Sequence, residues 1–116
     1  MKDFNIEMYR DKNGKSQIEC FINSMDKKTK AKFISYTDLL EEKSSFLGMP
    51  YSRYLENNIY ELRIDVSNRF TRVLYFFIKD KRIIMTNGFI KKTNKTPRKE
   101  IERAIDYKKE YLERNK

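Results

Sequence analysis

The sequence predicts an α+β fold in which an antiparallel β-sheet carries two N-terminal helices and one C-terminal helix, in the order β-α-α-β-β-β-β-α. Apolar side chains recur at helical spacing in two segments, 16–43 and 97–112, and at strand spacing over 4–9 and 53–90. The chain has 116 residues, of which 39% are hydrophobic and 37% charged, and this predicts one compact domain over 1–116. The same length is too short for two ordinary domains.

A strand and two helices are predicted in the first half of the chain. Apolar residues alternate with polar ones in a first strand that ends near Arg10. Ser16, with a glutamate three residues later, forms a capping box that begins a short helix over 16–25. Asp26 is placed to cap a second helix that continues to Lys43, and both helices bear an apolar face for the sheet.

The second half contains the signals of four strands and a helix. Segments 53–56 and 59–66 flank two asparagines that suit a tight turn, so we expect them to pair antiparallel. The nearly continuous apolar run 72–78 predicts a central strand that is covered on both faces. A last strand over 83–90 is expected to bulge or bend at Asn87-Gly88.

The residue types that the chain lacks exclude much enzyme chemistry. There is no histidine, so Ser-His-Asp and Cys-His nucleophiles are excluded. Cys20 is the only cysteine, which leaves no disulfide and no cysteine-based metal site and favours a reducing compartment. We expect no metal and no cofactor. No apolar run approaches the ~18 residues that cross a bilayer, and no signal peptide is present, so we expect a cytoplasmic protein without a membrane partner.

The distribution of charge indicates a polyanionic partner. The formal net charge is +9, and residues 59–116 carry +8 of it against +1 for residues 1–58. Phosphate contacts made by such a surface release counterions, which favours nucleic acid as the partner. The alternative is that the lysines only keep the surface soluble.

A basic segment, 91–97, lies between the last strand and the final helix. Its ammonium groups, hydroxyls and free backbone N–H groups at a helix start bind phosphate oxygens well. Thr96 is expected to cap that helix and Pro97 to occupy its first position. Arg63 and Arg72 converge on this segment if their strands neighbour the same edge. The candidate RNA-binding residues are Arg63, Thr93, Lys95, Thr96 and Arg98.

A ribonuclease without histidine is chemically feasible at such a cluster. The 2′-hydroxyl of RNA attacks the adjacent phosphorus when a base removes its proton, cations stabilise the pentavalent phosphate, and an acid protonates the leaving 5′-oxygen. Lysine acts as the base where neighbouring cations lower its pKa. Glu61 is a second candidate base. The alternative is that the cluster binds nucleic acid without catalysis or only keeps the surface soluble. Arg72 then merely pairs with Glu61 or Asp65 across the strands. Three lysines lie close enough in the sequence for their positive charges to repel one another: Lys91, Lys92 and Lys95.

Six segments of the chain form an ordered set with a family likeness. They are Leu47-Gly48-Met49-Pro50-Tyr51-Ser52, Tyr60-Glu61-Leu62-Arg63-Ile64, Arg72-Val73-Leu74-Tyr75-Phe76, Asn87-Gly88-Phe89-Ile90-Lys91-Lys92-Thr93, Lys95-Thr96-Pro97 and Glu100-Ile101. This set resembles the phage-derived HigB branch of the RelE/ParE toxin superfamily, and the resemblance extends from Gly14 to Tyr111.

The resemblance implies a fold, an activity and a set of partners. It implies a RelE-like toxin of a type II toxin–antitoxin system, with two helices packed on an antiparallel sheet. Such a toxin enters the ribosomal A site and cleaves mRNA without a metal, as a ribosome-dependent mRNA endonuclease (an mRNA interferase) that inhibits translation and arrests growth. It also implies a cognate antitoxin, a helix-turn-helix protein of the HigA type, through which alone the toxin contacts operator DNA.

Several roles follow from the resemblance at matching positions. Arg72 matches the strand arginine that contacts the scissile phosphate in ribosome-dependent relatives, and Arg63 matches a basic position that holds mRNA. Lys91 and Lys92 fall where relatives place a basic residue for transition-state or leaving-group stabilisation. They point to opposite faces if the strand continues, so at most one touches the reacting phosphate. RelE-type relatives have lysine at the position of Glu61, so either Glu61 takes over as the base or the base lies elsewhere.

Two other functions stay open on the sequence. A ParE-like toxin that inhibits gyrase has no catalysis of its own and would tolerate the loss of Arg72 if the fold survived. A non-catalytic nucleic-acid-binding protein would act only as a co-repressor with its antitoxin.

Overall fold

The structure is a computed structural model that describes residues 3–116, and these residues form an α+β fold, as predicted. They contain three α-helices, one turn of 3-10 helix (Ser44–Phe46) and five strands. The helices are α1 (Gln17–Asn23), α2 (Lys27–Lys43) and α3 (Arg98–Arg114). The strands are β1 (Asn5–Met8), β2 (Ser52–Glu56), β3 (Ile59–Val66), β4 (Arg69–Ile78) and β5 (Arg82–Lys91).

Several local predictions are confirmed by the capping and strand geometry. The Ser16 side chain accepts a hydrogen bond from the Glu19 amide at 3.2 Å and caps α1. The Asp26 carboxylate accepts one from the Thr29 amide at 2.8 Å and caps α2. Strand β3 has the predicted bounds, whereas β4 begins at Arg69, three residues earlier than expected.

The prediction of a fully antiparallel sheet is wrong for one strand pair. The strand order is β1-β5-β4-β3-β2, and β1 pairs with β5 in parallel, while the other neighbours are antiparallel. The backbone amide of Asn5 donates to the Lys81 carbonyl at 2.9 Å, and that of Tyr9 donates to the Met85 carbonyl at 2.9 Å. An alternating apolar pattern predicts a strand but carries no information on its direction, so the pattern of β1 fits either pairing.

Helices cover both faces of the sheet, and two apolar cores result. Helices α1 and α2 pack on one face, which is built around Leu62, Val73 and Tyr75. Helix α3 packs on the other face against Leu74 and Phe76. Strand β4 is therefore buried on both sides, as its continuous apolar run predicts. No helix within residues 3–116 is long and apolar enough to cross a membrane.

Strand β5 contains a bulge one residue before the predicted position. Leu74 lies opposite Asn87 and Tyr75 opposite Met85, so Thr86 is the extra residue, and the strand continues without a break to Lys91. Because side chains alternate along a strand, one inserted residue exchanges the two faces for everything beyond it. The bulge thereby places Lys91 on the face covered by α3.

Strand β5 and helix α1 pack closely against each other at Gly88. The side-chain amide of Gln17 donates to the Gly88 carbonyl at 2.9 Å and accepts from the Gly88 amide at 3.0 Å, so α1 pairs with the strand edge beyond β1. A Cβ atom at this position would lie 2.3 Å from Cδ2 of the Phe21 ring. Only glycine fits here without a shift of α1.

We expect Gly88→Ala to lower the free energy of unfolding by about 1–3 kcal/mol, because the added methyl overpacks the interface with Phe21. Urea denaturation measures the change. In a Phe21→Ala background the ring is absent, so the same substitution should cost less than about 0.5 kcal/mol. An equal cost in both backgrounds, or none in either, would contradict this account of Gly88.

Candidate active site

A cluster of charged residues lies on the α3 face of the sheet, beside the segment that leads into α3. The register of the strands brings Arg53 opposite Glu61 and Arg63 opposite Arg72. These side chains share one face, since residues paired across antiparallel strands point the same way. Lys91, two positions beyond a buried residue of this face, belongs to the same cluster.

The carboxylate of Glu61 is the centre of the cluster. One oxygen, Oε2, accepts a hydrogen bond from Arg63 Nη1 at 2.9 Å and lies 3.2 Å from Arg53 Nε. The other, Oε1, accepts from the Thr96 hydroxyl at 2.6 Å and lies 4.0 Å from Arg72 Nε. The partners come from β2, β3, β4 and the segment before α3. Glu61 is 0% exposed, so it contacts these groups from the interior of the protein.

The structure corrects the predicted cap of the last helix. The N-cap is Pro97, without a side-chain hydrogen bond, whereas Thr96 was expected to cap and Pro97 to be the first helical residue. The Thr96 hydroxyl donates to the Glu61 carboxylate instead. A charged acceptor makes a stronger hydrogen bond than a backbone amide offers, which explains why the tertiary contact prevails over local capping.

Arg72 is almost fully buried, with 2% exposure, and is only partly satisfied. Its Nη1 atom donates to Asp65 Oδ1 at 2.6 Å and to the Thr71 carbonyl at 2.9 Å. Its Nε atom has no hydrogen-bond partner among residues 3–116. A buried donor without a hydrogen bond costs roughly 1–3 kcal/mol, and the Glu61 carboxylate, 4.0 Å from this Nε, offsets part of that cost by charge attraction.

Lys91 is the buried amine of the cluster, with 9% exposure. Burial is the largest cause that lowers the pKa of its ammonium below the ordinary 10.5; the Glu61 carboxylate raises this pKa, and the guanidinium groups of Arg72, Arg63 and Arg53 lower it. Lys92 lies just beyond the end of β5 and is exposed. The two neighbouring lysines therefore occupy different environments, with Lys91 among the cations of the cluster and Lys92 open to solvent.

The remaining predicted RNA-binding residues lie at the rim of the cluster. Thr93 and Lys95 are exposed in the segment between β5 and α3, where the Thr93 hydroxyl donates to the Lys95 carbonyl at 2.9 Å. Arg98 is ion-paired with Glu56 at 2.5 Å and with Glu102 at 3.3 Å, which turns its guanidinium toward the protein. The structure thus brings together Glu61, Arg63, Arg72, Lys91 and Thr96, and leaves Arg98 outside.

Arg53 is the functional candidate that sequence reasoning missed. An unbroken two-residue hairpin would pair Arg53 with Leu62 and point it at the opposite core. The register shifts between Tyr54 and Glu56, so Arg53 lies opposite Glu61 instead. The sequence contains no clear signal for this shift. Within residues 3–116 no group of three His, Cys, Asp or Glu side chains is arranged to hold a metal ion.

The fold and this cluster define a small α+β protein with a cationic site built on one face of a sheet. The model of the family described as phage derived protein Gp49-like (DUF891) matches residues 20–109. The chain therefore belongs to the Gp49-like family of phage-derived proteins, which is RelE/HigB-like and associated with toxin–antitoxin systems. No curated protein matches the chain.

We expect the pKa of Lys91 to lie below 10.5 in the folded protein. Arg63→Gln should raise it, since one repelling cation is lost, and Glu61→Gln should lower it further, since the attracting anion is lost. The folded state then binds fewer protons than the unfolded state, so the Lys91 contribution to stability grows as the pH rises toward 10.5. NMR titration of 13C-labelled lysine measures these shifts. A Lys91 pKa at or above that of a lysine peptide would contradict the description of the site.

Proposed function

We propose that this protein is the RelE-like toxin of a type II toxin–antitoxin system and acts as a ribosome-dependent mRNA endonuclease. The observation that supports it most is that one face of the sheet brings a buried lysine, Lys91, together with the guanidinium groups of Arg63 and Arg72 around the Glu61 carboxylate. Membership of the Gp49-like family is compatible with such a toxin. The net positive charge of residues 59–116 favours RNA as its ligand.

The proposed reaction is a transesterification that needs no metal. The neutral amine of Lys91 removes the proton of the 2′-hydroxyl, whose oxygen then bonds to the adjacent phosphorus. The bond from phosphorus to the 5′-oxygen breaks, and that oxygen takes a proton from water, which leaves a 2′,3′-cyclic phosphate and a 5′-hydroxyl. Because burial and neighbouring cations lower the Lys91 pKa, more of the amine is neutral at physiological pH than in an ordinary lysine.

Arginines are suited to the charge that develops on the phosphate. Arg63 is partly exposed and would donate to a non-bridging phosphate oxygen, and the positive charge of Arg72, which lies opposite it on β4, adds to this effect. Preorganised donors of this kind commonly contribute about 3–4 kcal/mol each to transition-state stabilisation. Their orientation is set before the substrate arrives, since Glu61 and Asp65 hold the guanidinium groups in place.

Glu61 is assigned as a positioning residue in this proposal. Both of its carboxylate oxygens accept hydrogen bonds, from Arg63 and Thr96, and the side chain has no exposed surface. It reaches no substrate atom until those partners move. Of the bases considered on sequence grounds, which are Glu61 and the lysines of segment 91–97, Lys91 is proposed here, since it lies among the cations that would meet the phosphate.

The ribosome is proposed to complete the site. The exposed rim residues Thr93 and Lys95 are available for RNA backbone contacts, and in this proposal the ribosome holds the 2′-hydroxyl in line with the leaving oxygen. Alignment supplied by a macromolecular partner is worth many orders of magnitude in rate. We accordingly propose action in the ribosomal A site, and with it a cytoplasmic location, little activity on free RNA, neutralisation by a HigA-type antitoxin, and operator contact only through that antitoxin.

This proposal is tested by expression in a bacterial host without antitoxin. Three proteins are induced: the wild type, Lys91→Met and Lys92→Met. We expect the wild type and Lys92→Met to arrest growth and to create new in-frame mRNA 5′ ends. Lys91→Met should cleave about 10²–10⁴ times more slowly, because it loses the base. Methionine suits the buried position, and circular dichroism checks that the variant folds.

Each other outcome contradicts a defined part of the proposal. Equal cleavage by Lys91→Met and the wild type would remove Lys91 from the reaction. Arrest with intact mRNA would replace the nuclease with a gyrase-inhibiting toxin. No arrest from the folded wild type would leave a binding protein that acts only with its antitoxin.

A further inference from the structure

Phe70 presents an exposed aromatic ring at one end of the cationic cluster. It lies near the start of β4, opposite Asp65 on β3 and opposite Lys91 on β5. It is 43% exposed. Since Phe70 and Arg72 are two positions apart on one strand, their side chains point to the same face of the sheet.

The exposure of this ring contrasts with the rest of its row. The next apolar residues of β4 on this face, Leu74 and Phe76, are fully buried under α3. Phe70 is not part of the core under α3, and its ring remains open to solvent. An aromatic side chain of this size usually stabilises a protein by burial, and Phe70 leaves much of that gain unused.

The surroundings of the ring favour a ligand that is both anionic and planar. Lys91 lies beside it across the strand, and Arg72 is the next side chain along it. Two acids face this group: Asp65 is paired with Arg72 Nη1 at 2.6 Å, and Glu61, 4.0 Å from Arg72 Nε, is paired with Arg63. A groove of cations with an aromatic side chain is how proteins bind single-stranded nucleic acid, since the phosphate meets the cations and the base stacks on the ring.

We propose that Phe70 is a stacking platform for a base of single-stranded RNA, next to the phosphate that contacts Lys91 and Arg72. The inference rests on the proposed function only in taking RNA as the ligand. Along β4 the Phe70 and Arg72 side chains stand about 7 Å apart, and Lys91 is about 5 Å away on the neighbouring strand. A single nucleotide spans such distances, with its base on the ring and its phosphate over the cations.

The binding of short single-stranded RNA to the purified protein at low salt tests the platform. The RNA carries 2-aminopurine, whose fluorescence is quenched when it stacks on an aromatic ring. We expect Phe70→Ala to weaken binding about 5- to 150-fold and to abolish the quenching, and Phe70→Trp to restore both. The slope of log Kd against log salt should not change, because no phosphate contact is lost.

Ile90 offers a matched control at the same end of the sheet. It is 46% exposed and lies opposite Thr71, on the face away from the cluster. We expect Ile90→Ala to bind the RNA like the wild type. An RNA in which the 2-aminopurine nucleotide is replaced by an abasic one should bind equally to the wild type and to Phe70→Ala, since it has no base to stack.

Two results would overturn the platform. They are unchanged binding and quenching in Phe70→Ala, and an equal loss of affinity for the abasic RNA. The assay measures binding alone, so it is separable from the proposed function. Stacking on Phe70 without mRNA cleavage in cells would contradict only the nuclease, and cleavage that is indifferent to Phe70 would contradict only the platform.

Discussion

The buried carboxylate of Glu61 is the contact on which the site depends. It joins Arg53, Arg63 and Thr96 by hydrogen bonds or ion pairs, with Arg72 at 4.0 Å. Without it, several guanidinium groups would face one another in a partly buried place, and their repulsion would drive them apart. Removal of one partner from a buried ion pair typically costs about 3–5 kcal/mol. One acidic side chain thus stabilises the sheet and keeps a cationic surface assembled in the absence of any substrate.

Two bulges, one in β2 and one in β5, determine which side chains lie on that surface, and their positions could not be predicted from the sequence. Apolar patterning was sufficient to predict the elements, their order and the strands that bear Glu61, Arg63 and Arg72, because those patterns reflect burial. The bulge at Thr86 selects Lys91 over Lys92, and the shift between Tyr54 and Glu56 turns Arg53 toward the cluster. A one-residue shift leaves the alternating apolar pattern of each strand recognisable, but it moves the side chains beyond it to the other face of the sheet.

The other errors have the same origin in long-range contacts. The parallel pairing of β1 with β5 depends on which sheet edge the chain meets after folding, and its alternating residues suit either direction. Thr96 has a good local capping signal but binds Glu61, which is distant in sequence. Local signals predicted the caps at Ser16 and Asp26. The tertiary contact of Asp26 does not compete with its cap, because Oδ1 accepts from the Thr29 amide while Oδ2 pairs with Arg69. The candidate site thus combines a framework that the sequence predicts with contacts that only the packed sheet determines.

The central claim is that this cluster promotes attack by the 2′-hydroxyl of RNA, and the direct test is cleavage of an mRNA that lacks one such hydroxyl. The purified protein is mixed with ribosomes programmed with all-ribose mRNA, or with the same mRNA bearing a single 2′-deoxynucleotide at the cleaved position. The account predicts that only the all-ribose mRNA is cut and that its upstream fragment ends in a 2′,3′-cyclic phosphate. Cleavage of the deoxy mRNA at the same bond would contradict it.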